Sequence, residues 1–373
     1  MQRKKGISMI KNKDMFHGSD LEKVERVYGI PKESIICFSA NVNPLGISPR
    51  LRDELSSHVD CITSYPDRGY QELRQAIADY CGTEPDCVLV GNGSTELISL
   101  LMETRRPKNA LILGPTYSEY EREIGIAGGR CSYYALREDR DFRLGVEEFC
   151  SFLNDRMDLL VICNPNNPTS SYISRQDMRK ILDTCMTHGI FVVIDETYAE
   201  FADDDAHVSS IPLCASYDNL AVLRGTSKFF AAPGLRLGYA VTGNENIRAD
   251  MLSRQNPWSV NSLAAEAGKI MFKDRDYIQQ TKKLISGERT RIIHEMNSWP
   301  SVKVYPAQAN FLLFKILTDA ISAFDLFDIC IREHMMIRNC ASFPFLDEHF
   351  VRFCFMKPED NDRLLEVMKT VLC

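Results

Sequence analysis

The sequence predicts an α/β fold: a large domain built on a mostly parallel sheet, followed by a smaller α+β domain. Three observations carry this expectation. Short apolar runs recur between residues 87 and 241 without clean polar alternation, which marks strands buried on both faces. Helical patterns separate most of those runs, as in sheets covered by helices. Beyond residue 265 the order changes to one long amphipathic helix and then to mixed strands and helices.

At 373 residues, with 45% hydrophobic and 25% charged content, the chain has the composition of a soluble globular protein with a sizeable core. A formal charge of −7 with no balancing basic stripe argues against a nucleic-acid partner. The start, MQRKKGISMIKNKD, is basic but lacks the apolar segment of a signal peptide, and is read as a partly disordered or substrate-covering arm. No run approaches the ~18 apolar residues of a membrane span, so a cytoplasmic protein without a membrane partner is expected. The 13 cysteines are scattered and form no Cys-x-x-Cys pair, and the 7 histidines show no ligand spacing. Neither disulfides nor a metal site is expected.

Residues 1–49 read as an N-terminal arm packing with the small domain. It carries a short helix in HGSDLEKVERVYG and a turn in FSANVNPLG, fixed by Pro44 and Gly46. The large domain, 50–265, opens with QELRQAIADYCG, where Leu73, Ile77 and Tyr80 recur at helical spacing and Gly82 marks the stop. Seven strand-like runs follow at 87–90, 110–114, 131–136, 159–163, 191–195, 220–224 and 237–241. In the small domain, 266–373, a long helix over 274–298 precedes the strands VKVYP, NFLLFK and FVRFCF and helices over 322–334 and 359–370.

In open α/β sheets, ligands gather at the carboxyl ends of strands. The stretch RGTSKFFAAPGLRLGY places Lys228 beside Thr226 and Ser227, with Pro233-Gly234 turning the chain before Arg236. A lysine that condenses with an aldehyde, and hydroxyls with a guanidinium that hold a phosphate, suit pyridoxal phosphate. A solvated lysine before a turn is the bland alternative. After the first strand, GNGSTELI offers free backbone N–H groups to a phosphate, or merely a helix cap at Ser94 and Thr95. Glu96 stands where a dinucleotide fingerprint needs a third glycine. Tyr117 puts a ring at another strand end, for stacking or for core packing. In NPNNPTSSY, Asn167 can donate to a phenolic oxygen. Asp195, with Glu196 and Tyr198 close behind, ends a buried strand, where a carboxylate is costly unless it meets a cation such as a pyridinium nitrogen or reaches solvent.

Jointly these residues resemble the fold-type I pyridoxal-phosphate enzymes of the aminotransferase superfamily, from about His17 to the C-terminus. The resemblance implies a large domain with a mostly parallel seven-stranded sheet and pyridoxal 5'-phosphate as cofactor. It makes Lys228 the imine-forming lysine and Asp195 the partner of the ring nitrogen, with Asn167 and Tyr198 on the phenolic oxygen and Tyr117 stacking. Gly93, Ser94, Ser227 and Arg236 match phosphate-cup positions; Gly225 replaces a usual hydroxyl residue, so Thr226 or a backbone amide has to substitute. Ser170 replaces the usual glycine of Asn-Pro-Thr-Gly. Tyr65, in SYPDRGY, matches a tyrosine lent across a dimer interface to the neighbouring phosphate, implying a homodimer with shared sites. Arg352 matches the arginine that takes the substrate carboxylate.

FHGSD, FSANVNPLG, PWSVN at 257–261 and MIRNCASFPFLDEHFVRF further resemble the threonine-phosphate decarboxylases of cobalamin biosynthesis, a family similar to histidinol-phosphate aminotransferases. Ser19 and Asp20 depart from the glycine and asparagine expected there. The implied substrate is a phosphorylated amino acid, and Arg338 with Arg352 can serve two anionic ends of one ligand. A surface ion pair is the alternative for Arg338. His17 and Asn41 can complete the phosphate site. Aminotransfer to or from histidinol phosphate, decarboxylation of serine phosphate, and a degenerate binding module are the competing readings.

Overall fold

All seven apolar runs become strands of one sheet in the computed structural model, which describes residue 16 and residues 18–373. In chain order the strands are β1 (Ile36–Cys37), β2 (Val88–Asn92), β3 (Asn109–Gly114), β4 (Arg130–Ala135), β5 (Leu159–Cys163), β6 (Phe191–Asp195), β7 (Leu220–Gly225) and β8 (Leu237–Val241). The large sheet has the order β2-β8-β7-β6-β5-β3-β4, and β8 alone runs antiparallel to its neighbours. That reversal positions the site. The carboxyl ends of β2, β3, β5, β6 and β7 share one edge with the start of β8, where Asn92 pairs with Leu237 and Gly225 with Gly238. Arg236, immediately before β8, is thereby delivered beside Gly93 and near Lys228. Gly238 permits the approach, since a Cβ there would sit 2.3 Å from the Ser94 amide nitrogen.

The helices form where the sequence signals them. Gln71–Cys81 buries Leu73 and Ile77 and ends at Gly82 in the left-handed conformation, φ +66°. The long helix, Arg275–Met296, is capped by the Asp274 side chain, and Ala323–Arg332 opens with a capping box of Ser322 and Asp325. No helix among the described residues is long and apolar enough to cross a membrane.

The C-terminal strands are β9 (Val302–Val304), β10 (Phe311–Ile316), β11 (Met335–Met336), β12 (Arg338–Asn339) and β13 (Phe350–Cys354). Four of them form an antiparallel sheet, β12-β13-β10-β9. β1 of the arm pairs in parallel with β11, Ile36 opposite Met335. Phe16 stacks on Phe327 at 5.1 Å, and Phe38 O accepts from Cys354 N at 2.8 Å.

The segment after β4 behaves differently from the rest of the large domain. Leu136 and Phe142 pack in a cluster of their own with Tyr305, Leu313, Cys340, Leu346 and Phe350. Lys303–Asp141 (3.0 Å) and Lys315–Glu138 (2.9 Å) ion pairs flank it. Sequence order places 136–145 with the large sheet; packing places it against β9, β10 and β13.

Candidate active site

The strand ends, the arm and the C-terminal sheet enclose a cleft of about 610 Å³. Lys228, Asp195, Tyr198, Asn167, Tyr117, Ser94, Ser227, Arg236, Asn41, Arg338 and Arg352 all line it. Residues more than 300 positions apart in the chain therefore meet at one place.

Asp195 sits at the end of β6 and is 5% exposed. Its Oδ2 accepts from the Tyr120 hydroxyl at 2.7 Å, and its Oδ1 from the Thr197 hydroxyl and amide at 2.6 and 2.9 Å. It is a fixed carboxylate facing the cleft, and the solvated alternative is set aside. Behind it Glu196 forms a buried ion pair with Arg224 at 2.8 Å, which ties the end of β6 to the end of β7. Ser209 bonds both members, and the amide of Ser210 donates to Glu196. A buried pair persists only when its remaining lone pairs and protons are satisfied, as here.

Lys228 follows β7, and its Nζ donates to the Ala40 carbonyl at 2.6 Å. Burial, and next the nearby Arg352 guanidinium, bring its pKa down to about 8. Such an amine reaches its neutral form at lower pH than an ordinary lysine, and a nucleophile requires the neutral form. Tyr198 receives the Asn41 amide at 3.3 Å and sets its ring edge-on to Phe311; burial raises its phenol above the usual range. Arg352 donates to Asn167 Oδ1 and, at 2.7 Å, to the Ser39 carbonyl. With Oδ1 occupied, the Asn167 amide has its N–H groups left for the cleft.

Ser94 lines the cleft and is not a cap: the helix Gly93–Arg105 has Asn92 as N-cap, without a side-chain cap bond. Arg236 lies over Gly93, whose added Cβ would meet Nη2 at 2.3 Å. Gly93 has φ +77° and Arg236 φ +56°, so both ends of the cup are set by left-handed backbone. Tyr117 is 38% exposed in the cleft wall and meets Tyr120 edge-on at 5.7 Å; burial pushes its phenol up to about 12.

The structure does not bring every expected residue into the cleft. Thr226 is fully buried and its hydroxyl donates to Leu237 O at 3.1 Å, away from the site, because the β7–β8 pairing turns it inward. Ser94 Oγ, 3.8 Å from where a Gly225 Cβ would sit, is the hydroxyl nearest that position. Tyr65 does not line the cleft; it is 80% exposed, with its ring 4.8 Å from Trp258. His17 lies outside the described residues, although Phe16 and Gly18 both line the cleft. Arg338 is buried, not a surface residue, and donates to the Phe16 carbonyl and, at 2.8 Å, to Ser342. Ser170 has φ +58°, which explains the glycine usual there; its hydroxyl compensates by accepting from the amides of Gln308 (3.1 Å) and Ala309 (2.8 Å).

Sequence reasoning missed Tyr120, Thr197 and Thr116. Thr116 is 2% exposed in the cleft, with its hydroxyl unpartnered. Tyr120 alone carried a signal, an aromatic residue three positions after Tyr117.

The donor set fits pyridoxal phosphate on this structure's own features. A helix N-terminus, Ser94, Ser227 and Arg236 surround a hollow kept open by glycine, the pinned carboxylate of Asp195 supplies the negative charge a ring cation needs, and a lysine of lowered pKa stands between them. Asn41 Oδ1 and Arg352 Nε are buried in the same cleft without partners, so polar capacity remains for a ligand.

The comparisons agree with this geometry. A threonine-phosphate decarboxylase of Salmonella typhimurium is 34% identical over 95% of this chain and 96% of its own. The crystal structure of the histidinol-phosphate aminotransferase from Clostridium acetobutylicum matches with a TM-score of 0.84 at 32% identity, over 90% of this chain and 98% of that one. That of the L-threonine-O-3-phosphate decarboxylase from Porphyromonas gingivalis matches with a TM-score of 0.79 at 26% identity, over 90% and 98%. The model for aminotransferases of class I and II matches residues 33–368, and the chain belongs to that family of fold-type I, pyridoxal-phosphate-dependent enzymes.

Proposed function

We propose that this protein decarboxylates L-threonine O-3-phosphate to (R)-1-amino-2-propanol O-2-phosphate, the aminopropanol unit of a cobamide nucleotide loop. The observation that carries the reading is the pair Arg338 and Arg352, directly opposite each other on β12 and β13 and both in the cleft. Among the described residues their side chains donate to uncharged acceptors: Phe16 O, Ser342, Asn167 and Ser39 O. Two such guanidiniums suit a substrate with two anionic ends. The similarity to the Salmonella protein supports the choice of substrate and reaction.

When bound, the cofactor supplies an electrophilic carbon for the substrate amine and a cationic ring that accepts the electrons of a bond broken at Cα. In this reading Lys228 would hold the cofactor and would move protons near the substrate Cα. Asp195, fixed by Tyr120 and Thr197, keeps a proton on the ring nitrogen. Tyr198 and Asn167 donate to the phenolic oxygen, Tyr117 covers the ring, and Gly93, Ser94, Ser227 and Arg236 hold the phosphate. Arg352 takes the α-carboxylate, and Arg338, with Asn41 and His17, takes the substrate phosphate. Their placement would decide which bond at Cα is presented for cleavage, and hence decarboxylation or transamination.

The second reading, transamination of histidinol phosphate, is favoured by the likeness to the Clostridium enzyme. Incubation with phosphothreonine, phosphoserine, and histidinol phosphate plus 2-oxoglutarate separates them. Carbon dioxide and an amine phosphate from phosphothreonine support the proposal; glutamate formed from histidinol phosphate and 2-oxoglutarate, with no carbon dioxide from phosphothreonine, sinks it.

The proposal includes a cytoplasmic homodimer in which Tyr65, so exposed in one chain, reaches the partner's phosphate cup, and in which the arm (1–49) and residues 266–373 form one unit over 50–265. Mixing Lys228→Ala with Tyr65→Ala chains tests the sharing, because one site of the heterodimer then carries neither lesion. Activity well above either parent is expected; no recovery despite confirmed subunit exchange contradicts it.

A further inference from the structure

Phe345 is an aromatic residue in an exposed place and an unfavourable backbone conformation. It is 55% exposed with φ +68°, and a bulky residue held in the left-handed region is strained. Neither burial nor backbone preference accounts for a phenylalanine here, so its contacts must. The ring packs edge-on against Tyr133 at 5.9 Å between centroids. It lies 3.0 Å from the point where a Cβ on Gly114 would sit, a point also 2.8 Å from Tyr133. Gly114 ends β3 and Tyr133 lies on β4, so the notch belongs to the large sheet, whereas Phe345 belongs to the loop between β12 and β13. Tyr133 is itself anchored, its hydroxyl donating to Glu121 at 2.8 Å.

The loop that Phe345 seats is a wall of the cleft. Ser342, Phe343 and Pro344 line it. Two successive turns shape it, Phe343 N donating to Cys340 O at 3.0 Å and Leu346 N to Phe343 O at 3.2 Å. Arg338 donates to Ser342 at 2.8 Å, and its guanidinium stands 5.3 Å from the centre of the Phe343 ring. The guanidinium is therefore held by the loop as well as by Phe16 O, and the loop by the notch as well as by Cys340 and Leu346 in the cluster with Phe142 and Phe350.

We propose that Phe345 is a positioning residue for substrate binding: seated against Gly114 and Tyr133, it fixes the Ser342–Pro344 wall and, through Ser342 and Phe343, aims Arg338 at the anionic end of the substrate. This rests on the reading of Arg338 as the group that takes the substrate phosphate. Four holoenzymes test it: wild type, Phe345→Gly, Gly114→Ala and the double variant, each titrated with O-phospho-L-threonine while the cofactor absorbance is followed for Kd. Phe345→Gly removes the ring and relieves the backbone, so Tm and cofactor retention are expected to hold or improve while Kd rises at least ~5-fold, about 1 kcal/mol. Gly114→Ala fills the notch from the opposite side and raises Kd similarly, Phe345 having to yield because Tyr133 is anchored. The double variant is no weaker than the weaker single, since both remove one contact. An unchanged Kd in Phe345→Gly, singles whose effects multiply, or a Kd rise matched by loss of cofactor and Tm overturns the proposal. A wild type that responds to histidinol phosphate and not to phosphothreonine overturns the substrate reading alone; the same comparison, with the same criteria, is then read with histidinol phosphate.

Discussion

Arg338 and Arg352 are register partners across β12 and β13, two like charges facing each other on one side of a buried sheet. Directly opposed like charges destabilise a sheet, and burial followed by the Arg352 charge brings the Arg338 pKa down to about 10. Both guanidiniums line the lysine-bearing cleft, and the proposed function gives the pair a role there, since substrate anions would offset their repulsion. Arg338→Gln is expected to lower kcat/KM for phosphothreonine about 10- to 100-fold, in line with the ~1.5–3 kcal/mol of a charged hydrogen bond, and to leave unphosphorylated threonine unaffected. Arg352→Gln should impair both. Steady-state kinetics on the two amino acids checks this.

Lys228→Ala should abolish turnover and the visible absorbance of the bound cofactor, because no second lysine lines the cleft among the described residues. Absorbance retained by the purified variant would place the cofactor on another amine.

The lowered pKa of Lys228 gives the apoenzyme a pH signature of definite sign. Folded, the group titrates near 8; unfolded, near 10.4. Between those values the unfolded chain binds the extra proton, so the lysine's contribution to stability rises with pH. Below pH 8 the protonated amine destabilises the fold by ~3 kcal/mol, a penalty relieved as pH climbs toward 10.4. Lys228→Met should therefore be more stable than wild-type apoenzyme at pH 7, with the gap closing by pH 10 in denaturant titrations.

Asp195→Asn should retain cofactor yet lose about 100-fold or more in kcat, as electrostatic groups at reacting centres are worth ~3 kcal/mol. Tyr120→Phe leaves the carboxylate charged but loosens it, and a smaller loss, under about 10-fold, is expected from one hydrogen bond of ~1 kcal/mol. An unchanged rate in Asp195→Asn would remove it from the site.

Ser170→Ala deletes the acceptor of the buried Ala309 amide and one of the two acceptors of the half-buried Gln308 amide while keeping the left-handed backbone, and should cost about 1–3 kcal/mol. Ser170→Gly loses the same acceptor but relieves the backbone, so it should cost less. Chemical denaturation of both variants measures the order.

Much of this was legible because it depends on local pattern. The runs that became β2, β3 and β5 to β8 are apolar without alternation, and such segments have few stable alternatives to a covered sheet; β4, at the sheet edge, is instead partly exposed along its length. Lys228, Asp195 and Arg236 stood out because each follows or precedes such a run. What escaped was set by tertiary contact. Thr226 sits beside the lysine, yet β7–β8 pairing turns its hydroxyl to Leu237 O. Tyr120 looks like any aromatic on a helix until its hydroxyl is seen on Asp195. The segment 136–145 follows a strand of the large sheet in sequence, but Phe142 finds its partners on Tyr305 and Phe350.

The most direct measurement uses phosphothreonine labelled in its carboxyl carbon, with purified holoenzyme and no keto acid. The proposed function predicts one equivalent of labelled carbon dioxide for each aminopropanol phosphate formed, continuing over many turnovers. Label that stays in the amino acid, with amino-group transfer appearing only when 2-oxoglutarate is supplied, would contradict it.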